Sequence, residues 1–252
     1  MTQRHLTQRH LNQRHLTQRH RLTSRIRLGL AALAALAVLP LLASCASAGT
    51  SAPPSGSIPA QSAPGEAAGT TVAFYGDSYT LGTGASDPAS RWSSIVSAER
   101  GWHEVNPSAD GVGFVANRDM LPGLLDQVIA ANPDIVIVTM GLNDNFVMPD
   151  RADDIRAAIT ADLTTLSSAL PRARLIVVEP FWYTDERPAS VERIIGWVRA
   201  AAARVDADYI SGASHWIEGH PEWMSFDGLH PNDEGYQAMA ERMDAELEKL
   251  GL

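Results

Sequence analysis

The chain has 252 residues, 45% of them hydrophobic, and carries 20 Lys and Arg against 29 Asp and Glu, a formal charge of −9. That length allows one or two domains with a core of ordinary size. The single cysteine, Cys45, excludes an intrachain disulfide framework, and the acid excess argues against nucleic acid as a partner, because phosphate binding needs a basic surface.

The charge is unevenly placed. Residues 1–44 hold seven arginines, four histidines and no acid, which leaves 13 basic and 29 acidic residues in 45–252, a balance of −16. From Thr2 a five-residue unit occurs four times: TQRHL, TQRHL, NQRHL, TQRHR. A period of five fits neither helix nor strand, and each unit offers one Leu at most to bury. A basic leader to an export signal, or a start codon set too far upstream, accounts for it better than a metal or phosphate site. Leu28–Leu42 is an apolar run of 15 residues, shorter than the roughly 20 that span a membrane and suited to a signal-peptide core.

The run ends Leu42-Ala43-Ser44-Cys45. It resembles the lipobox of bacterial lipoproteins, in which the cysteine is lipidated and becomes the new N-terminus. Cleavage near Ala46-Ser47-Ala48 and an uncleaved anchor are the alternatives. The expected organisation is therefore a signal peptide over 1–44, lipidated Cys45 with a flexible Ala/Ser/Pro/Gly tether over 45–69, and a folded domain over 70–252. As a flexible coil, the 24 residues after Cys45 span roughly 27 Å. Such a chain is exported and held at the outer face of the cell membrane, or secreted if the cysteine is not used.

In the body, strands are expected at Val72–Tyr75, His103–Val105, Ile135–Met140, Leu175–Val178 and Asp208–Ile210. The run Asp134-Ile-Val-Ile-Val-Thr is apolar without alternation, the pattern of a parallel strand covered on both faces. Ile155, Ile159, Leu163, Leu166 and Leu170 make one helical stripe, with Asp150 as its expected cap and Pro171 as its stop. Val191, Ile194, Val198, Ala201 and Val205 make a second after Ser190. Tyr236, Met239, Met243, Leu247 and Leu250 make a third, capped by Asn232 or Asp233. Alternating strands and helices imply one doubly wound α/β domain that binds ligands at the C-terminal strand ends.

Those ends carry the polar motifs. Gly76-Asp77-Ser78-Tyr79 follows the first strand, Gly141-Leu142-Asn143-Asp144 the third, and Asp227-Gly228-Leu229-His230-Pro231 precedes the last helix. Singly these are turn sequences; in this order on one framework they resemble the SGNH (GDSL-type) hydrolase family across residues 70–252. The second sequence block is supplied by Gly113, with Gly111 as its competitor. The resemblance implies a three-layer α/β/α sandwich with a five-stranded parallel sheet, flavodoxin-like, using neither metal nor organic cofactor.

The chemistry follows from the residue types. A serine hydroxyl needs a base to become a nucleophile. His230 is the candidate base, and Asp227, three residues earlier, the group that fixes its tautomer. An oxyanion would be met by the backbone N–H groups of Ser78 and Gly113 and by the Asn143 amide. Asp77 and Asp144 are expected to order loops through backbone hydrogen bonds.

Three other signals compete. Gly111-Val112-Gly113-Phe114-Val115-Ala116 fits a dinucleotide fingerprint, but after the second strand rather than the first. His215, Glu218, His220 and Glu222 suggest a metal site without matching H-E-x-x-H. Phe181, Trp182, Trp216 and Trp223 form either a sugar-stacking wall or a cover for the sheet.

The resulting expectation is a membrane-tethered, extracytoplasmic serine hydrolase that cleaves O-acyl esters of glycans, small alcohols or lipids. An O-acyltransferase acting on envelope glycans and a non-catalytic glycan-binding module are the alternatives. The charge of the body disfavours polyanionic substrates.

Overall fold

The computed structural model describes residues 69–252. The signal peptide over 1–44, Cys45 and nearly all of the tether lie outside the described residues.

Five strands, β1 (Thr71–Tyr75), β2 (His103–Val105), β3 (Ile135–Val138), β4 (Arg174–Val178) and β5 (Asp208–Ile210), form one sheet in the order β2-β1-β3-β4-β5. Every pairing is parallel. This is the doubly wound order in which the chain moves outward in both directions from β1. The crevice between the C-terminal ends of β1 and β3 is the switch point where such sheets bind ligands. Ser78 and Asn143 lie just beyond those two ends.

Side-chain alternation along the strands builds the two outer layers. Val72, Phe74, Ile135, Ile137, Ile176 and Val178 face α2 (Trp92–Glu99) and α6 (Asp233–Lys249). Ala73, Tyr75, Val136, Val138 and Val177 face α3 (Leu124–Ala130) and α4 (Ala152–Ala169), with α5 (Ala189–Arg204) closing that layer through Ile194 and Val198. The α4 stripe Ile155, Ile159, Leu163 and Leu166 is buried throughout, so cutting Leu163 to Ala would cost about 2–5 kcal/mol. Among the described residues no helix is long and apolar enough to cross a membrane.

The three helical stripes stand where the spacing puts them, but two starts differ. Asp150 does not cap α4. Arg151 occupies that position without a side-chain capping bond, because a turn closed by Arg151 N–H on the Val147 carbonyl delays the helix to Ala152. Helix α5 begins at Ala189 after Pro188, and Ser190 instead donates to Asn145 Oδ1 at 2.5 Å. Asn232 does cap α6, accepting from Gly235 N–H. Helices α2 and α3 have no counterpart in the sequence reading, since neither shows a long stripe. Strand β3 stops two residues short of Met140. Of the wall expected from Phe181, Trp182, Trp216 and Trp223, the first three are core, 2%, 3% and 7% exposed, whereas Trp223 is half-buried with its ring stacked on His220.

Candidate active site

Ser78 opens α1 (Ser78–Leu81), a single turn directly after β1. Asp77, not Ser78, is its cap, accepting from Tyr79 N–H at 3.0 Å. Gly76 is required at the bend, because a Cβ there would stand 2.4 Å from Thr139 Oγ1 and 2.6 Å from Thr80. The nucleophile candidate is thus held by packing on both sides, and its own N–H has no partner among the described residues.

Asp227 and His230 come from the tip of a hairpin. Ser225 N–H donates to the His230 carbonyl at 2.7 Å, and Met224 pairs with Pro231. Asp227 Oδ1 accepts from Ser225 Oγ and from the N–H groups of Leu229 and His230, at 2.8, 2.9 and 3.0 Å. Its Oδ2 lies 2.7 Å from His230 Nδ1. Partial burial raises the carboxyl's pKa, but the bonds from His230, Leu229 and Ser225 outweigh it and hold Asp227 well below the usual carboxylate range. An ionised carboxylate only accepts, so Nδ1 carries the ring proton and Nε2 is left to accept. Nε2 lies 2.9 Å from Ser78 Oγ. The three residues singled out in two distant segments therefore form one continuous chain of hydrogen bonds.

The oxyanion side differs from expectation in one residue. Gly113 does not offer a free amide: its N–H donates to the Ala116 carbonyl at 2.8 Å. Gly113 must be glycine for another reason, since a Cβ would stand 2.5 Å from Asp144 Oδ2. Gly111, at φ +70°, has an N–H without a partner among the described residues, so of the two glycines it is the one whose amide is free to donate. Asn143 Nδ2 donates to the Val112 carbonyl at 3.0 Å, which seats its amide against this same loop and leaves its second hydrogen free.

Asp144 explains the loop's shape. Its buried carboxylate accepts from Phe114, Val115 and Ala116 N–H at 2.7, 2.8 and 3.1 Å. Burial raises its pKa while those three bonds lower it, leaving a net rise. These are the amides a dinucleotide phosphate would need, and no helix starts here. Asp77 is the second buried carboxyl. Desolvation, opposed by the Tyr79 amide and reinforced by Asp144, pushes it up to about 7; its Oδ2 has no hydrogen-bond partner.

Further residues complete the frame. Tyr79 hydroxyl donates to the Leu229 carbonyl at 2.5 Å, and its ring stacks on Phe181 and leans on the His230 ring, centroids 5.8 and 5.9 Å away. Thr83 Oγ1 donates to Asp110. Arg118 pairs through both terminal nitrogens with Asp162 and also donates to the Phe114 carbonyl at 3.0 Å. At Gly84 (φ +98°) a Cβ would meet the Pro231 carbonyl at 2.4 Å and His230 Cβ at 3.2 Å. Tyr79 was visible as the residue after Gly-Asp-Ser; the partners of the others carry no local signal. His215 and His220 each pair with their own glutamate, Glu218 and Glu222, at 2.5 and 2.8 Å. Among the described residues no group of three or more His, Cys, Asp or Glu is arranged to hold a metal ion.

A doubly wound sheet with a serine, an imidazole and a carboxylate in line at its switch point defines the class of serine hydrolases. The chain belongs to the GDSL-like Lipase/Acylhydrolase family, whose model matches residues 74–238. It is 27% identical over 184 residues to GDSL lipase Rv0518 of Mycobacterium tuberculosis, covering 68% of this chain and 79% of that protein. Its fold resembles psychrotrophic esterase EstA from Pseudoalteromonas sp., with a TM-score of 0.59 at 19% identity over 72% of this chain and 98% of that one. It also resembles a catalytic mutant of Axe2, an acetylxylan esterase from Geobacillus stearothermophilus, with a TM-score of 0.53 at 19% identity over 70% and 93% of the two chains. The protein is an esterase-type hydrolase of this family.

Proposed function

We propose that the protein cleaves carboxylic O-acyl esters through an acyl-enzyme on Ser78, working outside the cytoplasm on a lipid tether at Cys45. The observation that carries the chemistry is the unbroken series Asp227 Oδ2, His230 Nδ1, His230 Nε2, Ser78 Oγ. Ser78 Oγ attacks the ester carbonyl carbon as His230 Nε2 takes its proton. The oxyanion accepts from the N–H groups of Ser78 and Gly111 and from the Asn143 amide. The C–O bond then breaks and His230 returns the proton to the departing alcohol. Water repeats the sequence on the acyl-enzyme, releasing the acid and restoring the serine.

A fluorophosphonate probe should label Ser78 in the purified protein, and the label should disappear in His230→Ala. Equal p-nitrophenyl acetate turnover by the parent and Ser78→Ala would refute the assignment. Tethering rests on the lone cysteine after Leu42-Ala43-Ser44. Cells fed radiolabelled palmitate should label the parent protein, and Cys45→Ala should release it unlabelled.

A further inference from the structure

Thr83 stands where the parts of the site meet. Its N–H donates to the Ser78 carbonyl at 3.0 Å, and its carbonyl accepts from the Tyr236 hydroxyl of α6 at 2.8 Å. The next residue, Gly84, is the one pressed against Pro231 and His230. The backbone of Thr83 is thus fixed to the turn of the nucleophile and to the segment of the histidine. Its side chain crosses to the third part, the loop of Gly111, where Oγ1 donates to Asp110.

That loop has little of its own to hold it there. After Ser108, whose N–H is held by Asn106 Oδ1 at 3.2 Å, the next backbone N–H with a partner among the described residues is that of Gly113. Gly111, in between, has no Cβ and stands at φ +70°, so nothing intrinsic fixes its direction. Side chains do so instead. Asn117 donates to the Gly111 carbonyl at 2.8 Å, Asn143 to the Val112 carbonyl at 3.0 Å, and Thr83 holds Asp110. Asn117 belongs to the same loop and travels with it, and Asn143 comes from the loop after β3. Thr83 comes from the segment that carries Ser78. Asn106 also reaches that segment, donating to the Thr80 carbonyl at 2.8 Å, but from the start of the loop, whereas Asp110 adjoins Gly111.

We propose that Thr83 is a positioning residue for the reaction: by holding Asp110, its hydroxyl sets the spacing between the N–H groups of Ser78 and Gly111 that receive the oxyanion. Two donors serve one oxygen only when both stand roughly 2.7–3.1 Å from the place where it forms. A misplacement of about 1 Å can cost on the order of a hundredfold in rate. The inference rests on the acyl-enzyme reading of the same site.

The test compares the full chain with Thr83→Val, which keeps the branched shape and removes the hydroxyl, and with Thr83→Ser, which restores it. On p-nitrophenyl acetate, kcat per folded molecule should fall about tenfold in Thr83→Val with KM little changed, and stay within about twofold of the parent in Thr83→Ser. The second substrate is p-nitrophenyl thionoacetate, whose carbonyl sulfur accepts N–H bonds poorly. Its turnover should change little, so the preference for the oxygen ester falls by the same factor as kcat. Asp110→Ala removes the bond from an exposed side chain. It should lose as much as Thr83→Val, and the double variant no more than either. A parental kcat in Thr83→Val, or an equal loss in Thr83→Ser, overturns the proposal. So does a loss of one size on both esters, which would place the fault in the Asp227–His230–Ser78 series, and so do additive losses in the double variant. The acyl-enzyme reading fails separately, if p-nitrophenyl acetate turnover survives Ser78→Ala.

Discussion

The Ser78 hydroxyl stands 2.9 Å from His230 Nε2 although 152 positions separate the two residues. Nothing local brings them together. The contact exists because β1 ends at the switch point and because Tyr79, the residue after the serine, hydrogen-bonds Leu229, the residue before the histidine.

That bond makes Tyr79 a positioning residue. Tyr79→Phe keeps the stack on Phe181 but strands the Leu229 carbonyl, so the histidine should wander. The expected result is a fall in kcat of about fivefold, the size of one hydrogen bond near 1 kcal/mol, with KM little changed. Steady-state kinetics on p-nitrophenyl acetate decide it. A pure stability loss, with kcat per folded molecule unchanged, would show that Tyr79 only packs.

Asp227 selects the tautomer of His230. Asp227→Asn places an amide where the carboxylate was, and the ring can then turn its proton toward Ser78. Turnover should drop by on the order of 10³–10⁴, measured per folded molecule because the lost carboxylate charge also weakens the hairpin-tip hydrogen bonds. Fluorophosphonate labelling rates should fall in parallel.

Gly111 and Gly113 separate by different measurements. Replacing Gly111 with glycolic acid by semisynthesis removes one N–H and nothing else, and should cost on the order of 10²–10³ in kcat. Gly113→Ala should act on the fold, driving a methyl into the Asp144 carboxylate, and lower stability by about 1–3 kcal/mol. Differential scanning calorimetry reads the second and kinetics the first. An unchanged kcat for the Gly111 ester would return the oxyanion role to another donor.

Asp77 gives a pH signature of unusual sign. Its pKa is raised from 3.8 to about 7 by burial, so the folded state holds a proton that the unfolded chain has released. Its contribution is therefore full below pH 3.8, shrinks as pH rises toward 7, and is flat above. Asp227, whose pKa is lowered, gains stability with rising pH, so the two oppose each other in the parent protein. Urea unfolding of Asp77→Asn relative to the parent isolates the first. The difference should shift in favour of the variant by up to about 4 kcal/mol between pH 4 and pH 8. A pH-independent difference would mean that Asp77 is ionised throughout.

The sequence by itself determined the layered α/β plan, because five short apolar runs and three helical stripes leave few other ways to cover hydrophobic surface. It also singled out the candidate site residues, since Ser78, Asn143, Asp227 and His230 fall just after strands or before a helix, where loops must be. Tertiary structure alone decided which amides are free. Gly111 and Gly113 differ by two positions and share one motif. Only the fold spends the Gly113 N–H on Ala116 and presses its Cα against Asp144, thirty-one residues away in the chain. It likewise buried Trp182 and Trp216, left Trp223 half-buried, and left Phe146 and Phe226 in water, a choice made by which side of a loop meets the core. Periodicity reports a residue's neighbours along the chain; hydrogen-bond partners across a crevice depend on distances that no local pattern records.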